Sequence, residues 1–272
     1  MGRLNGKVAF VTGAARGQGR SHAVRLAEEG ADIIASDICQ QLDVPYLMST
    51  RSDLEETERL VVATGRRIVA SEADVRDLDA LESLVAEGVG EFGGLDVVVA
   101  NAGICSFDTV EEMSVEKWQT MIDIDLTGVF KTVKASLPHL RDGGSIIITS
   151  STAGLKGFAS LAHYSAAKHG LVGFMRALAH EVGPRRIRVN TVHPTQVPTD
   201  MLMNEQTYRM FNPHLAEPTM QDFKDASQAG MVMPVPWVET GDVSDSVAFL
   251  ASDESKFITG VTLPVDAGAQ MA

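Results

Sequence analysis

Three side chains between Ser151 and Lys168 could together move a proton. Tyr164 and Lys168 are four residues apart in a stretch that reads as the start of a helix, so they share one face and the ammonium can lie beside the phenol. A free tyrosine, with a pKa of about 10, is almost wholly protonated at neutral pH, and each unit of depression corresponds to roughly 1.4 kcal/mol. A nearby cation favours phenolate, and a depression of about two or three units would make Tyr164 a general base. Ser151 could donate a hydrogen bond to a substrate oxygen and hold it against the tyrosine. A Tyr-x-x-x-Lys pair is also an ordinary helix-surface contact, so the reading depends on what surrounds it.

The surrounding elements place all three groups together. Ser145-Ile-Ile-Ile-Thr149 is a continuous apolar run that predicts a buried strand, and Gly170 to Val182 has the length and composition of a helix. Ser151 therefore leaves a strand end and Tyr164 stands near a helix start. With 272 residues and 44% hydrophobic content, the chain suits one large α/β domain, 1–272. The net charge of -13 argues against nucleic acid or an anionic membrane surface and points to a small-molecule partner. Two cysteines, Cys39 and Cys105, are too few for a disulfide framework or a cysteine-rich metal site, which fits a reducing cytosol and no metal. No apolar run reaches the roughly eighteen residues needed to span a bilayer, and the N-terminal residues lack the apolar core of a signal peptide. The expectation is a soluble, cytoplasmic protein.

A nucleotide site is written in the first half. Lys7 to Thr12 predicts a short buried strand, followed by Gly13-Ala-Ala-Arg16-Gly17-Gln18-Gly19 and a helix from Arg20 to Glu29. Glycines let backbone amides approach a pyrophosphate, and a helix N-terminus adds a favourable dipole. The spacing is a variant of the familiar dinucleotide fingerprint, and an ordinary tight turn is the alternative. A second strand, Ala31 to Ser36, ends at Asp37, where an acidic residue accepts hydrogen bonds from an adenosine ribose. A 2′-phosphate about 4 Å from that carboxylate would meet repulsion of roughly 4 kcal/mol per charge pair, which favours NAD. Arg16 is the complication, because a guanidinium there could neutralise such a phosphate.

Ile38 to Arg51, with Pro45 and Tyr46, is longer than a typical connection and reads as an insertion at 39–51, either a surface excursion or a functional lid. Ser52-Asp-Leu-Glu55 reads as the capping box of the next helix. Arg67 to Ala73 predicts a third strand ending at Asp74-Val75, Asp77 to Phe92 a helix, and Leu95 to Ala100 a fourth strand ending in Asn101-Ala102-Gly103. The alternation implies a doubly wound parallel sheet of about seven strands with helices on both faces, and ligands bind beyond its strand C-termini. Ser114 to Leu140 carries a long helix containing Asp123-Ile-Asp125-Leu-Thr-Gly128, and Arg186 to Val192 a sixth strand running into His193-Pro194-Thr-Gln-Val197-Pro-Thr199. Residues 200–237 hold Met201, Met203, Met210, Met220, Met231 and Met233, which suit an adaptable apolar substrate wall or an ordinary helical cap. Asp242 to Ala251 predicts a last helix and Val261 to Val265 a last strand.

These motifs, in this order, resemble the short-chain dehydrogenase/reductase family with its Rossmann-type fold. The match rests on Thr12 to Gly19, Asp74-Val75, Asn101-Ala-Gly103, Ser151, Tyr164-Ser-Ala-Ala-Lys168 and Pro194 to Thr199, and covers nearly the whole chain. The resemblance implies that Tyr164 is the general acid/base, that Lys168 binds the nicotinamide ribose and lowers the tyrosine pKa, and that Ser151 orients the substrate oxygen. It puts Asp74 by the adenine and Val192, Pro194, Val197 and Thr199 at the nicotinamide end. Gly13, Arg16, Gly17, Gln18, Gly19, Asp37, Val75, Asn101, Ala102 and Gly103 complete the expected cofactor set. Asp125 departs from the family pattern, which has Asn there; a carboxylate would also hold the Lys168 charge.

A finer resemblance is to the mycofactocin-dependent, carveol dehydrogenase-like subgroup. It rests on Gly17-Gln-Gly-Arg-Ser-His22, Asp37-Ile-Cys39 with the insertion after it, His193-Pro-Thr195 and Leu263-Pro-Val-Asp-Ala-Gly268. It implies tightly held NAD whose electrons leave through a redox peptide. The family also implies a homotetramer with contacts through the helices from Ser114 and Leu161, where Ala166, Ala167, Gly170 and Gly173 would permit close approach. The expected activity is interconversion of an apolar secondary alcohol, with terpenoids among the candidates, and its ketone. The rivals are a freely exchanging NAD(P)-dependent ketone reductase and a non-catalytic nucleotide sensor on the same fold.

Overall fold

The computed structural model describes residues 2–272. Its frame is seven parallel strands: β1 (Val8–Thr12), β2 (Asp32–Asp37), β3 (Ile68–Glu72), β4 (Leu95–Ala100), β5 (Leu140–Thr149), β6 (Arg188–Pro194) and β7 (Thr262–Val265). They lie side by side in the order β3-β2-β1-β4-β5-β6-β7. Strand order reverses between β1 and β4, and the crevice beyond their C-terminal ends is the natural ligand position in such a sheet. β1, β2 and β6 are buried along their whole length, as expected of central strands covered on both faces, and β1 accordingly reads as a nearly unbroken apolar run.

Helices cover both faces. On one, α1 (Gly17–Glu28) and α9 (Thr240–Ala251) pack Ala23, Leu26, Val243 and Val247 against Ala9, Val11 and Ile33 of the sheet. On the other, α3 (Leu78–Phe92), α5 (Val129–Ser136) and α6 (Ala162–Val182) pack Leu81, Val85, Val133, Leu171 and Met175 against Phe10, Val98 and Ile148. The expected doubly wound sheet with helices on both faces is present.

Several boundaries differ from the sequence reading, each for a local reason. α1 begins at Gly17, inside the glycine loop, and not at Arg20. α2 (Arg51–Ala63) is capped by Thr50: the Thr50 hydroxyl accepts from Asp53 N–H at 3.3 Å and the Asp53 carboxylate accepts from Thr50 N–H at 2.8 Å. The capping box thus lies two residues before the expected Ser52, which falls inside the first turn. α6 starts at Ala162 and not at Gly170, which puts Tyr164 in its first turn, as expected, and Lys168 in its second. Ser114 caps α4 (Val115–Ile122) as expected, and the expected long helix runs without a gap to Ser136 but is widened part-way. Asp123–Gly128 forms a wide π turn before α5, and α5 stops at Ser136. Such a widened turn re-aims the side chains it carries, and here it carries Asp125.

Residues 200–237 contain α7 (Glu205–Phe211) and α8 (Met220–Ala229), joined by aromatic packing of Phe223 with Tyr208, Phe211 and Trp237 at ring separations of 5.4, 4.9 and 6.4 Å. Among the described residues, no helix is long and apolar enough to cross a membrane, and no cluster of His, Cys, Asp and Glu could hold a metal ion.

Candidate active site

Two cavities open above the C-terminal ends of the strands and meet at Tyr164. The first, about 580 Å³, runs over the β1 and β4 ends and is lined by Gly13, Arg16, Gly17, Gln18, Gly19, Asp37, Asp74, Val75, Asn101, Ala102, Gly103, Asp125, Lys168 and Thr199. The second, about 480 Å³, is lined by Ser151, Cys105, Phe107, Phe158, Leu161, Leu202, Met210 and Phe211. Gln18, Ser150, Tyr164, Thr199 and Met201 border both.

Close backbone approach shapes the first cavity. Gly13 has φ +67, and a Cβ there would lie 2.9 Å from the Ala102 Cα; a Cβ on Gly19 would lie 1.9 Å from the Gly13 carbonyl oxygen. A side chain at either position would close the loop on itself. Gln18 Oε1 is buried in the loop without a hydrogen-bond partner. Asn101 fastens the floor: its Nδ2 donates to the Thr12 carbonyl at 3.0 Å and its Oδ1 accepts from the Thr149 hydroxyl at 3.2 Å, tying the ends of β1, β4 and β5. An elongated cleft above glycines, beside a helix N-terminus and ending at a carboxylate, fits a dinucleotide.

Asp37 sits at the far end. Its Oδ2 accepts from Ala15 N–H at 2.9 Å, and its Oδ1 accepts from the Ser49 hydroxyl at 2.5 Å and from Cys39 N–H at 3.3 Å. Three of a carboxylate's roughly four acceptor positions are taken, and a 2′-phosphate brought beside this carboxylate would be repelled. Arg16, the cation that could offset that charge, is committed elsewhere. Its guanidinium pairs with Asp200 at 2.8 Å and lies 5.9 Å from the centre of the Tyr46 ring. Asp74 is held by Arg76 at 2.6 Å.

At the meeting point of the cavities, Ser151 Oγ accepts from Ala153 N–H at 3.1 Å, leaving its own hydrogen for the phenol or a ligand oxygen. Lys168 Nζ donates to the Thr149 carbonyl at 3.1 Å, pairs with Asp125 Oδ2 at 3.1 Å and lies 5.4 Å from the Tyr164 ring centre. Asp125 Oδ1 accepts from Ile104 N–H at 2.8 Å.

The electrostatics differ from the sequence expectation at one point. The Tyr164 phenol is not lowered but pushed well above its ordinary value, first by burial, then by the Cys105, Asp125 and Tyr46 side chains, against an opposing hydrogen bond from Ser151. Lys168 pairs with the Asp125 carboxylate at 3.1 Å and is not among the causes of the Tyr164 shift. Burial likewise pushes the Asp125 carboxyl up, against the pull of Lys168 and the Ile104 N–H.

Of the residues expected at the nicotinamide end, Thr199 borders both cavities and Pro194 and Val197 line the second. Val192 is fully buried in the core and borders neither.

The insertion crosses the first cavity. Leu42, Val44 and Met48 pack on Val75, Ile104, Met121 and Ile124, and the buried Tyr46 hydroxyl accepts from Cys105 N–H at 3.0 Å. Tyr46, Leu42, Met48 and Ser49 therefore border the cleft, although motif reading did not place them there. The alternation Leu42, Val44, Tyr46, Met48 was the available signal, since a period of two in a polar connection marks a segment with one buried side. The methionines divide: Met201 and Met203 line the first cavity and Met201 and Met210 the second, whereas Met220 and Met233 are exposed.

The family described as Enoyl-(Acyl carrier protein) reductase matches residues 13–270. The chain is 50% identical over 276 residues to the (-)-trans-carveol dehydrogenase of Rhodococcus erythropolis, covering 100% of both chains. Its fold matches the crystal structure of carveol dehydrogenase from Mycobacterium avium in complex with NAD, with a TM-score of 0.98, 55% identity and 100% of both chains covered. It also matches a short chain dehydrogenase from Mycobacterium paratuberculosis bound to NAD, with a TM-score of 0.91, 43% identity and 100% of both chains covered. The chain belongs to the short-chain dehydrogenase/reductase family. Within it, the similarity is to the carveol dehydrogenases.

Proposed function

We propose that this NAD-dependent oxidoreductase interconverts an apolar secondary alcohol of terpenoid size and its ketone, with NAD held in the first cavity and the alcohol in the second. The observation that carries the reading is the meeting of the two cavities at Tyr164, with Ser151 on the substrate side and Lys168 on the cofactor side. When bound, NAD supplies the hydride acceptor. Ser151 donates a hydrogen bond to the substrate oxygen and holds it at the phenol. Tyr164 takes the hydroxyl proton on oxidation and returns it on reduction. Lys168 carries a positive charge to the ribose side of the cleft, and Asp125 fixes where that charge sits. The walls of the second cavity, Phe107, Phe158, Leu161, Met210 and Phe211, suit an apolar ring and exclude water from the reacting oxygen.

The Asp37 carboxylate and the commitment of Arg16 to Asp200 favour NAD over NADP. The insertion packed across the cleft supports slow exchange of the nucleotide, with electrons leaving to a redox peptide of the mycofactocin type. A cytoplasmic homotetramer is the assembly we assign. Exposed Trp118 and Phe130 beside α4 and α5 favour it, together with the open space over Gly173. Ala167 and Gly170, by contrast, serve packing inside the chain: Ala167 is buried, and a Cβ on Gly170 would meet Leu126 at 3.1 Å.

The nucleotide released on denaturing the purified protein tests the reading together with single-turnover hydride transfer from carveol, followed by NADH fluorescence. Released NAD and a rise in NADH fluorescence are expected. Released NADP, or no fluorescence change with carveol or other apolar secondary alcohols, would reject it.

A further inference from the structure

His193 is fully buried and borders neither cavity, yet it is bonded to the reacting centre. The last ladder contact on this side of β5 is Ser150 N–H to the Val192 carbonyl at 2.9 Å. Beyond it Ser151 has left the sheet, and its carbonyl oxygen is taken by Gly154 N–H at 2.9 Å and by His193 Nδ1 at 2.7 Å. A carbonyl only accepts, so Nδ1 must carry the hydrogen. In the neutral ring Nε2 is then an acceptor, and the Thr191 hydroxyl donates to it at 2.7 Å. The other acceptor within reach of that hydroxyl, the Val261 carbonyl, lies at 3.4 Å. Thr191 and His193 are two residues apart on β6, so both project from the same face of the sheet. Burial pushes the imidazole down to about 4, which keeps this tautomer in place at neutral pH.

We infer that His193 is a positioning residue for the reaction: its ring clamps the Ser151 carbonyl to β6 and so fixes where the Ser151 hydroxyl meets the substrate oxygen. The inference rests on the proposed role of Ser151. Without the clamp, Ser151 would be held by its own short turn alone, through Gly154 N–H on the carbonyl and Ala153 N–H on the hydroxyl, and nothing would fix that turn, and with it the hydroxyl, relative to β6. A misplacement of roughly 1 Å at such a group can lower a rate on the order of a hundredfold.

The test is single-turnover reduction of NAD-loaded protein by carveol, read as NADH fluorescence. His193→Phe fills the volume and removes both hydrogen bonds; the rate should fall by about a hundredfold while half-saturating carveol and bound NAD stay unchanged. His193→Asn places an amide N–H where Nδ1–H was and should recover most of the rate, whereas His193→Gln, one bond longer, should not. In a Ser151→Ala background, His193→Phe should cause no further loss, because the group it positions is gone. A full-rate Phe variant, equal rates for Asn and Gln, or losses that simply add in the double variant would overturn the clamp. The Asn and Gln pair decides the matter if the Phe variant does not fold. A fast Ser151→Ala variant would overturn the Ser151 role itself, and a slow one beside a normal His193→Phe would overturn only the clamp.

Discussion

Asp125 Oδ2 and Lys168 Nζ are 3.1 Å apart, and their side chains are 0% and 4% exposed. Among the described residues that oxygen has no partner but the ammonium, and the ammonium lies 5.4 Å from the Tyr164 ring centre. Removing one member of such a buried pair by an apolar residue costs about 3–5 kcal/mol. Asp125→Leu should therefore lose activity and melt at a lower temperature. Asp125→Asn keeps an oxygen for Ile104 N–H and removes a negative charge that raises the Tyr164 phenol. With that charge gone and Lys168 free to face the ring, the phenol should titrate at lower pH. The rising limb of alcohol oxidation against pH should move down in Asp125→Asn. A limb that stays in place, with equal rates for wild type and Leu variant, would show the pair to be only structural.

Tyr164→Phe keeps the ring, its packing on Val75, Ile104 and Ile124, and the shape of both cavities. Only the hydroxyl is lost. Single-turnover hydride transfer should drop by at least about a hundredfold while the protein still carries NAD. Near-normal transfer by that variant would remove Tyr164 from the reaction.

Much of this site was legible because its parts obey local rules. Glycines 13, 17 and 19 after a buried strand, Asp37 at the next strand end and the Tyr164-Lys168 spacing each follow from backbone geometry, and the structure brings all of them to one cleft. What the sequence left out was set by packing between distant segments. The π turn at Asp123–Gly128 has no residue signature, and it decides that Asp125 meets Lys168. The direction of the Tyr164 shift comes first from its burial and then from Cys105 and Asp125, which lie far away in the chain. The role of Ser49 on Asp37, and of His193 on Ser151, likewise follows from tertiary contacts between residues that no short motif joins.

His22 makes acid stability a sharp test of the fold. It is fully buried between α1 and α9, with Nδ1 2.8 Å from the Ser244 hydroxyl and Nε2 unpartnered. Burial pushes it down to about 3, against roughly 6.5 in an unfolded chain. Below the unfolded value the unfolded chain takes up a proton that the folded one refuses. Stability is therefore full above about pH 6.5 and falls by about 1.4 kcal/mol per pH unit below it, until the folded value is passed. His193 adds a loss of the same sign down to about 4. His22→Asn keeps an amide for Ser244 and removes one titration, so its melting temperature should decline less steeply than that of wild type between about pH 6 and pH 5. Parallel declines would contradict the buried neutral ring.

The segment from Cys39 to Ser49 should control the release of cofactor. It leaves β2 just after Asp37, lays Leu42, Val44 and Met48 on Val75, Ile104 and Ile124, and latches through the Tyr46 hydroxyl to Cys105 N–H and the Ser49 hydroxyl to Asp37. If those contacts must break before a dinucleotide in the cleft can leave, dissociation should be slow without any change in the chemistry. A cofactor reduced once and not exchanged would need its electrons removed in place. The purified protein should therefore carry NAD, turn over little with added NAD alone, and turn over when an artificial electron acceptor is supplied. Tyr46→Phe leaves Cys105 N–H without its partner at a cost of about 1–2 kcal/mol, which should speed NAD release by roughly tenfold. Replacing Gln40 to Ser49 by a tight turn, while sparing Thr50 as the cap of α2, should yield a conventional enzyme that uses free NAD. The lid would be abandoned if the intact protein emerged from gel filtration without nucleotide and oxidised carveol briskly with free NAD as its sole oxidant.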